Sequence, residues 1–197
     1  MDKKQSVEQA LRAYLRDGEQ VCWQGKTEEF PLLENDAKGK ILGKWIGTVV
    51  VAFAILALYI KNNPDWSVKV VGMVLLVAAL LVISPIIERS SLLRQQYWIT
   101  NQRAILMTRD RSFYYMELCE IDDFQMVKGM TDHDCLVLGS CLFEDINRQL
   151  RWRACHPKTD VQSDGHSDQA MGLVFFNVSN IEGAAAQLQQ WKGSQKA

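Results

Sequence analysis

Two stretches of the chain carry almost no polar residues, while the segments around them alternate polar and apolar. Residues 45–60 (WIGTVVVAFAILALYI) are sixteen uncharged positions between Lys44 and Lys61, about 24 Å long as a helix at ~1.5 Å per residue. Ile41 and Leu42 lengthen the run, because Lys44 can carry its ammonium to an interface on an apolar stem. Residues 70–87 (VVGMVLLVAALLVISPII) are eighteen more, about 27 Å by the same rise, against a hydrocarbon core of about 30 Å. A surface helix of a small soluble protein keeps a polar face, and neither run has one. The first run begins more than forty residues in, so a cleaved leader is not expected. The pattern predicts a transmembrane hairpin over 41–88, with helices at about 45–60 and 70–87.

The link between the runs, KNNPDWSVK, is nine residues with Asn-Pro turn chemistry and Trp66 suited to an interfacial belt. So short a link makes the helices antiparallel and puts both chain ends on one side. Lys38, Lys40, Lys44, Arg89, Arg94 and Arg103 flank the hairpin on that side, against Lys61 and Lys69 in the loop. Six against two places both termini in the cytoplasm. The runs hold no Asp, Glu, Lys, Arg or His, so the hairpin reads as an anchor or assembly surface and not as a conduction path. Gly43 and Gly47 have the GxxxG spacing of close helix contacts, a spacing that chance also produces.

Before the hairpin, residues 1–40 form an N-terminal segment. Val7, Leu11, Tyr14 and Leu15 share one helical face over 5–16, with Ser6 as cap and Gly18 as stop. That face is expected to pack on the chain's own cytosolic domain; a partner-binding helix is the alternative. Val21 and Trp23 alternate as in a short strand, and Phe30, Leu32 and Leu33 are expected at the membrane surface. After the hairpin the period changes to short strands separated by turns: 97–100, 103–108, 112–118, 124–128, 135–140, 150–155 and 173–178. Trp152 between Arg151 and Arg153 is expected to point inward. Seven short strands predict a small barrel or sandwich. A last helix follows, with Ser179 and Glu182 at capping-box spacing and an apolar face of Ile181, Ala184, Ala185, Leu188 and Trp191. It is expected to plug the barrel's open end.

Charge changes this picture little. The chain has 22 basic and 23 acidic residues, a formal net charge of −1, where a nucleic-acid binder carries a basic excess. Five cysteines, Cys22, Cys119, Cys135, Cys141 and Cys155, are an odd count at irregular spacing and read as reduced, packed thiols. His133, Cys135, Cys141, Cys155 and His156 lack CxxC or HxxxH spacing. Asp132-His133-Asp134 and Asp122-Asp123 read as solvated turns. No G-x-S-x-G, Walker A, G-x-G-x-x-G or HExxH motif occurs, so neither an enzyme nor a cofactor or metal site is expected.

The stretch YWITNQRAIL (97–106) resembles the Y-x-(I/L)-T-N-x-R opening of bacterial pleckstrin-homology-like (bPH) domains. G-E-x-V-x-W-x-G-K, from Gly18 to Lys26, resembles the segment that precedes two transmembrane helices in membrane-anchored members. Ile121 sits where the family has an I-x-x-(V/F) strand, and FFNVSNI (175–181) resembles its run into the final helix. The polar insertion HPKTDVQSDGHSDQA and the lack of a second glycine near Gly139 depart from the pattern and bear on the register of the last strands. The resemblance implies an α+β chain: a two-helix transmembrane hairpin plus a PH-like seven-strand β-barrel over 95–192, capped by a C-terminal helix. It further implies a binding or scaffolding module at the cytoplasmic face of the inner membrane, a protein–protein adaptor whose partners are the bilayer and other proteins or further copies. Arg89, Arg94 and Arg103 are the candidates for a weak contact with anionic lipid headgroups. Residues 88–197 hold 12 basic and 14 acidic side chains, so they make no strong electrostatic footprint. The rival readings are a small membrane-bound zinc or thiol enzyme and a structural subunit of a larger membrane complex.

Overall fold

The computed structural model describes residues 3–33, 35–128, 134–139 and 168–195. In chain order they form α1 (Lys3–Tyr14), β1 (Val21–Lys26), α2 (Asn35–Asn62), α3 (Val68–Leu92), β2 (Gln96–Thr100), β3 (Arg103–Met107), β4 (Phe113–Glu117), a 3-10 turn at Leu118–Glu120, β5 (Phe124–Lys128), β6 (Asp134–Leu138), β7 (Leu173–Phe175) and α4 (Ile181–Gln195). The chain is thus α+β, with two long apolar helices and two antiparallel sheets.

Helices α2 and α3 contain spans at Lys38–Asn62 and Val68–Leu92, 25 residues each, long and apolar enough to cross a membrane. Both continue past the uncharged runs into the polar flanks. Pro85 lies inside α3, where it removes a helical N–H donor. The Trp45 indole N–H donates across the hairpin to the nearby Val82 carbonyl at 2.9 Å. This fastens the two helices on the side of the β-sheets.

The strands do not close into the expected seven-strand barrel. They separate into a four-stranded sheet, β1-β2-β3-β4, and a three-stranded sheet, β5-β6-β7. The seventh strand comes from before the hairpin: β1 pairs antiparallel with β2, Trp23 opposite Ile99 and Lys26 opposite Gln96, with a bulge between Val21 and Trp23. The expected strand at 150–155, with Trp152, lies outside the described residues. The sheets touch at two corners, through isolated bridges Thr27–Val178 and Tyr115–Gln169. The last strand is shorter than 173–178 because Asn177 turns the chain at φ 51°.

One core lies between the sheets, around Tyr97, Leu106, Leu136, Leu138, Leu173 and Phe175. Ile181, Ala184 and Leu188 of α4 join it, with Trp191 packed at its border. The helix cap is Asn180 instead of Ser179: its side-chain oxygen accepts the Gly183 N–H at 3.3 Å and satisfies one of the first-turn donors. Strands β2 and β3 are buried on both faces, because Val7, Leu11, Tyr14 and Leu15 of the α1 segment cover Trp98, Ile105 and Met107 on the outside. The outer face of the smaller sheet is covered as well. Phe30, just before α2, and Leu92, the last residue of α3, pack on Cys135, Val137, Val174 and Phe176. Phe30 is therefore buried in the protein and not laid on a membrane surface.

Candidate functional site

The segments GE at 18–19 and TNQR at 100–103 are distant in sequence and meet at one end of the β1–β2 pair. Gly18 takes φ +76° at the turn out of α1, a conformation open to glycine at no steric cost. Asn101, in the two-residue link between β2 and β3, then clasps that turn. Its Oδ1 accepts the Gln20 N–H at 3.0 Å, and its own N–H donates to the Gln20 carbonyl at 3.1 Å. Beside it, Arg103 Nε and Nη2 donate to the two oxygens of Glu19 at 2.9 Å each, and Nη2 also donates to the Tyr14 carbonyl at 2.8 Å. The Thr100 hydroxyl donates to Glu19 Oε1 at 2.7 Å. The guanidinium also lies against the Tyr14 and Tyr115 rings, 4.7 and 4.8 Å from their centroids.

Burial works against a charged Glu19, but the bonds from Arg103, the Arg16 N–H and Thr100 outweigh it and hold the carboxyl below its ordinary value. Tyr14 moves the other way: burial first, then the nearby Asp168, push its phenol up. With side-chain exposures of 4% and 0%, Arg103 and Glu19 are sealed from solvent. Arg103 is therefore not a headgroup ligand. Its bonds are spent inside the protein, where a paired and hydrogen-bonded charge is tolerated and an unpaired one is not.

The second convergence lies at the other end of β1. The buried Tyr97 hydroxyl donates to Gln95 Oε1 at 2.8 Å, accepts the Phe176 N–H at 3.2 Å and lies 3.0 Å from the Thr27 hydroxyl. Asn177 Nδ2 donates to the Glu28 carbonyl at 3.0 Å, and the Glu28 N–H returns to the Asn177 carbonyl at 2.9 Å. Thus the tyrosine of YWITNQR and the asparagine of FFNVSNI tie the two sheets to the segment that enters the hairpin.

Arg89 belongs to this base. Its Nε donates to the Phe30 carbonyl at 2.7 Å, and its guanidinium lies 5.6 Å from the Phe30 ring centroid. Phe30 in turn meets Phe176 edge-on at 5.6 Å. Arg94 is exposed. The three arginines thus have separate surroundings: Arg103 under α1, Arg89 in the hairpin base, and Arg94 in solvent.

Cys135 is buried, and desolvation pushes its thiol up to about 12; a thiol so placed supplies almost no nucleophilic thiolate near neutrality. Cys22 and Cys119 are exposed. Cys141, Cys155, Asp132, His133 and His156 lie outside the described residues, and among the described residues no three His, Cys, Asp or Glu side chains gather as metal ligands. Asp122 and Asp123 hold the end of α4: Lys192 Nζ donates to the Asp122 carbonyl at 2.8 Å and lies 3.7 Å from Asp123 Oδ1. The geometry fastens segments together and fixes the sheets against the hairpin. Comparison with family models, with curated proteins and with solved structures finds no match for this chain.

Proposed function

We propose that the protein is a membrane-anchored PH-like binding module, an adaptor that holds a protein partner at the cytoplasmic face of the inner membrane. The observation that carries this reading is the covered outer face of the smaller sheet. Phe30, Arg89 and Leu92 root the hairpin in the sandwich, so the sheets sit at a fixed height and orientation against the bilayer. A four-stranded and a three-stranded antiparallel sheet followed by one helix that packs on their shared core also support the PH-like part. The six-to-two distribution of flanking cations supports cytoplasmic termini. Anionic lipid contact falls to Arg94 and to Lys38 and Lys40 in the first turns of α2, with Arg103 withdrawn.

Orientation is tested on the native chain with a membrane-impermeant maleimide, because Cys22 and Cys119 are exposed. Labelling in inverted vesicles and none in intact spheroplasts is expected; the reverse overturns the topology. For the adaptor role, a photo-crosslinker at exposed Met126 is expected to give one discrete protein adduct in native membranes. No adduct there, together with stoichiometric zinc that is lost on Cys135→Ser or Cys155→Ser, would instead make the protein a small membrane enzyme.

A further inference from the structure

A groove of about 510 Å³ runs along the hairpin between α2 and α3, within the size range of small-molecule sites. Gly43, Gly47 and Ala52 line one side, Val77, Ala78 and Leu81 the other, and Lys44 lies at its end nearest the sheets. A Cβ built on Gly43 or Gly47 would meet nothing within 4 Å. The GxxxG pair therefore faces open space and makes no close contact between α2 and α3.

We infer that this groove holds one acyl chain of an anionic phospholipid from the leaflet on the domain's side, with the lipid phosphate on Lys44. Length is the first argument. From Gly43 to Ile55 the lining covers about 18 Å at ~1.5 Å per residue, close to one leaflet, half of the ~30 Å core. A spanning helix of a partner needs the whole thickness; an acyl chain needs this much.

Charge is the second argument. Lys44 Nζ donates to Ser84 Oγ at 3.4 Å, and the Ser84 hydroxyl donates in turn to Glu88 Oε1 at 3.1 Å. Among the described residues no carboxylate lies within salt-bridge distance of Lys44. An ammonium with donors to spare thus stands at headgroup depth over an apolar channel, which is complementary to a phosphodiester carrying a hydrocarbon tail. The same lysine argues against a second copy of the chain. A two-fold contact centred on Gly43 and Gly47 repeats the same patch on both partners and would bring the two Lys44 ammoniums together.

The inference rests on the hairpin crossing the membrane, and the experiment separates the two. The full-length protein is incorporated into nanodiscs of equal parts phosphatidylglycerol and phosphatidylcholine, and lipids retained after release are counted by native mass spectrometry. The expected result is a monomer that retains one phosphatidylglycerol. Gly47→Leu fills the channel and is expected to lower retention at least tenfold with an unchanged thermal melt. Ala78→Leu, on the facing helix, is expected to do the same and serves if Gly47→Leu melts differently. Lys44→Gln is expected to retain lipid without headgroup preference, and Val50→Leu, outside the groove, to match the wild type. Equal retention by the wild type and both filled variants overturns the site, as does a wild type without headgroup preference. A wild-type dimer that Gly47→Leu splits assigns the groove to a second copy. Failure to enter nanodiscs overturns the membrane reading itself.

Discussion

The hairpin and the sandwich bury opposite things. In each membrane-length helix only 6% of the most apolar window is buried inside the protein, and Phe53 is 75% exposed. In the sandwich, β3 is buried at every position, Arg103 included. The same side chains, Val, Ile, Leu and Phe, are therefore outside in one region and inside in the other. Under the proposed membrane reading the difference is solvent: lipid already satisfies an apolar surface, so the hairpin needs few internal contacts beyond fasteners such as Trp45 to Val82. Water does not, so α4 closes the inner core, and α1 and the hairpin base cover the outer faces of β2, β3, β6 and β7. Polar groups follow the opposite rule: Glu19, Arg103 and Tyr97, buried in the sandwich, each take a hydrogen-bond partner from a distant segment.

That contrast can be broken most directly at Glu19. Glu19→Ala leaves the buried Arg103 guanidinium without its carboxylate and is expected to cost about 3–5 kcal/mol, read as a fall in the urea midpoint of the full-length protein in detergent. A loss within 0.5 kcal/mol, as for ~surface changes, would mean that the pair is hydrated. Leu188→Ala is next. Its side chain is 1% exposed in the shared core, and about 3 kcal/mol is expected from the lost burial and the cavity. Gln189→Ala, on the exposed side of α4, is expected to leave the melt unchanged.

Acid sharpens the comparison in the same place. Glu19 is held below its unfolded value, so its contribution is complete above about pH 4.3 and drains away as pH falls through the lower folded value. Wild-type stability should decline over that window, and Glu19→Gln should flatten the decline; parallel slopes would remove Glu19 from the account. Arg16 and Glu117 also pair, at 2.6 Å, but the Arg16 side chain is 44% exposed. Arg16→Ala is expected to cost at most about 1 kcal/mol, and less in high salt. The smallest effect belongs to the exposed apolar surface of the hairpin. Phe53→Leu should change neither the melt nor membrane insertion, and a measurable loss would reveal a contact that covers α2.

The elements that the chain announced are those encoded by local pattern. Both apolar runs became helices, the Asn101-Gln102 link became a tight turn, and the face of Ile181, Ala184 and Leu188 packed inward. Long-range partners were not legible. Arg103 read as one more flanking cation because Glu19 lies 84 positions away, and only the β1–β2 register brings them together. A glutamate at a turn before one strand and an arginine after the tight turn of another were the available signal. Phe30 read as a membrane-surface residue for a similar reason: its neighbours Val137, Val174 and Phe176 are more than a hundred positions away. The grouping of strands into two sheets could not be read either, since alternation marks a strand without saying which strand it joins.

The pairing of β1 with β2 has a consequence for how the protein is made. The two strands leave the ribosome with the whole hairpin between them, so β2, β3 and β4 can pair with one another but β1 cannot join them until both helices have been made. If only one helix crossed, β1 and β2 would be stranded on opposite sides of the bilayer, with Glu19 and Arg103 never meeting. Under the proposed topology, insertion of both helices is thus a precondition for completing the four-stranded sheet.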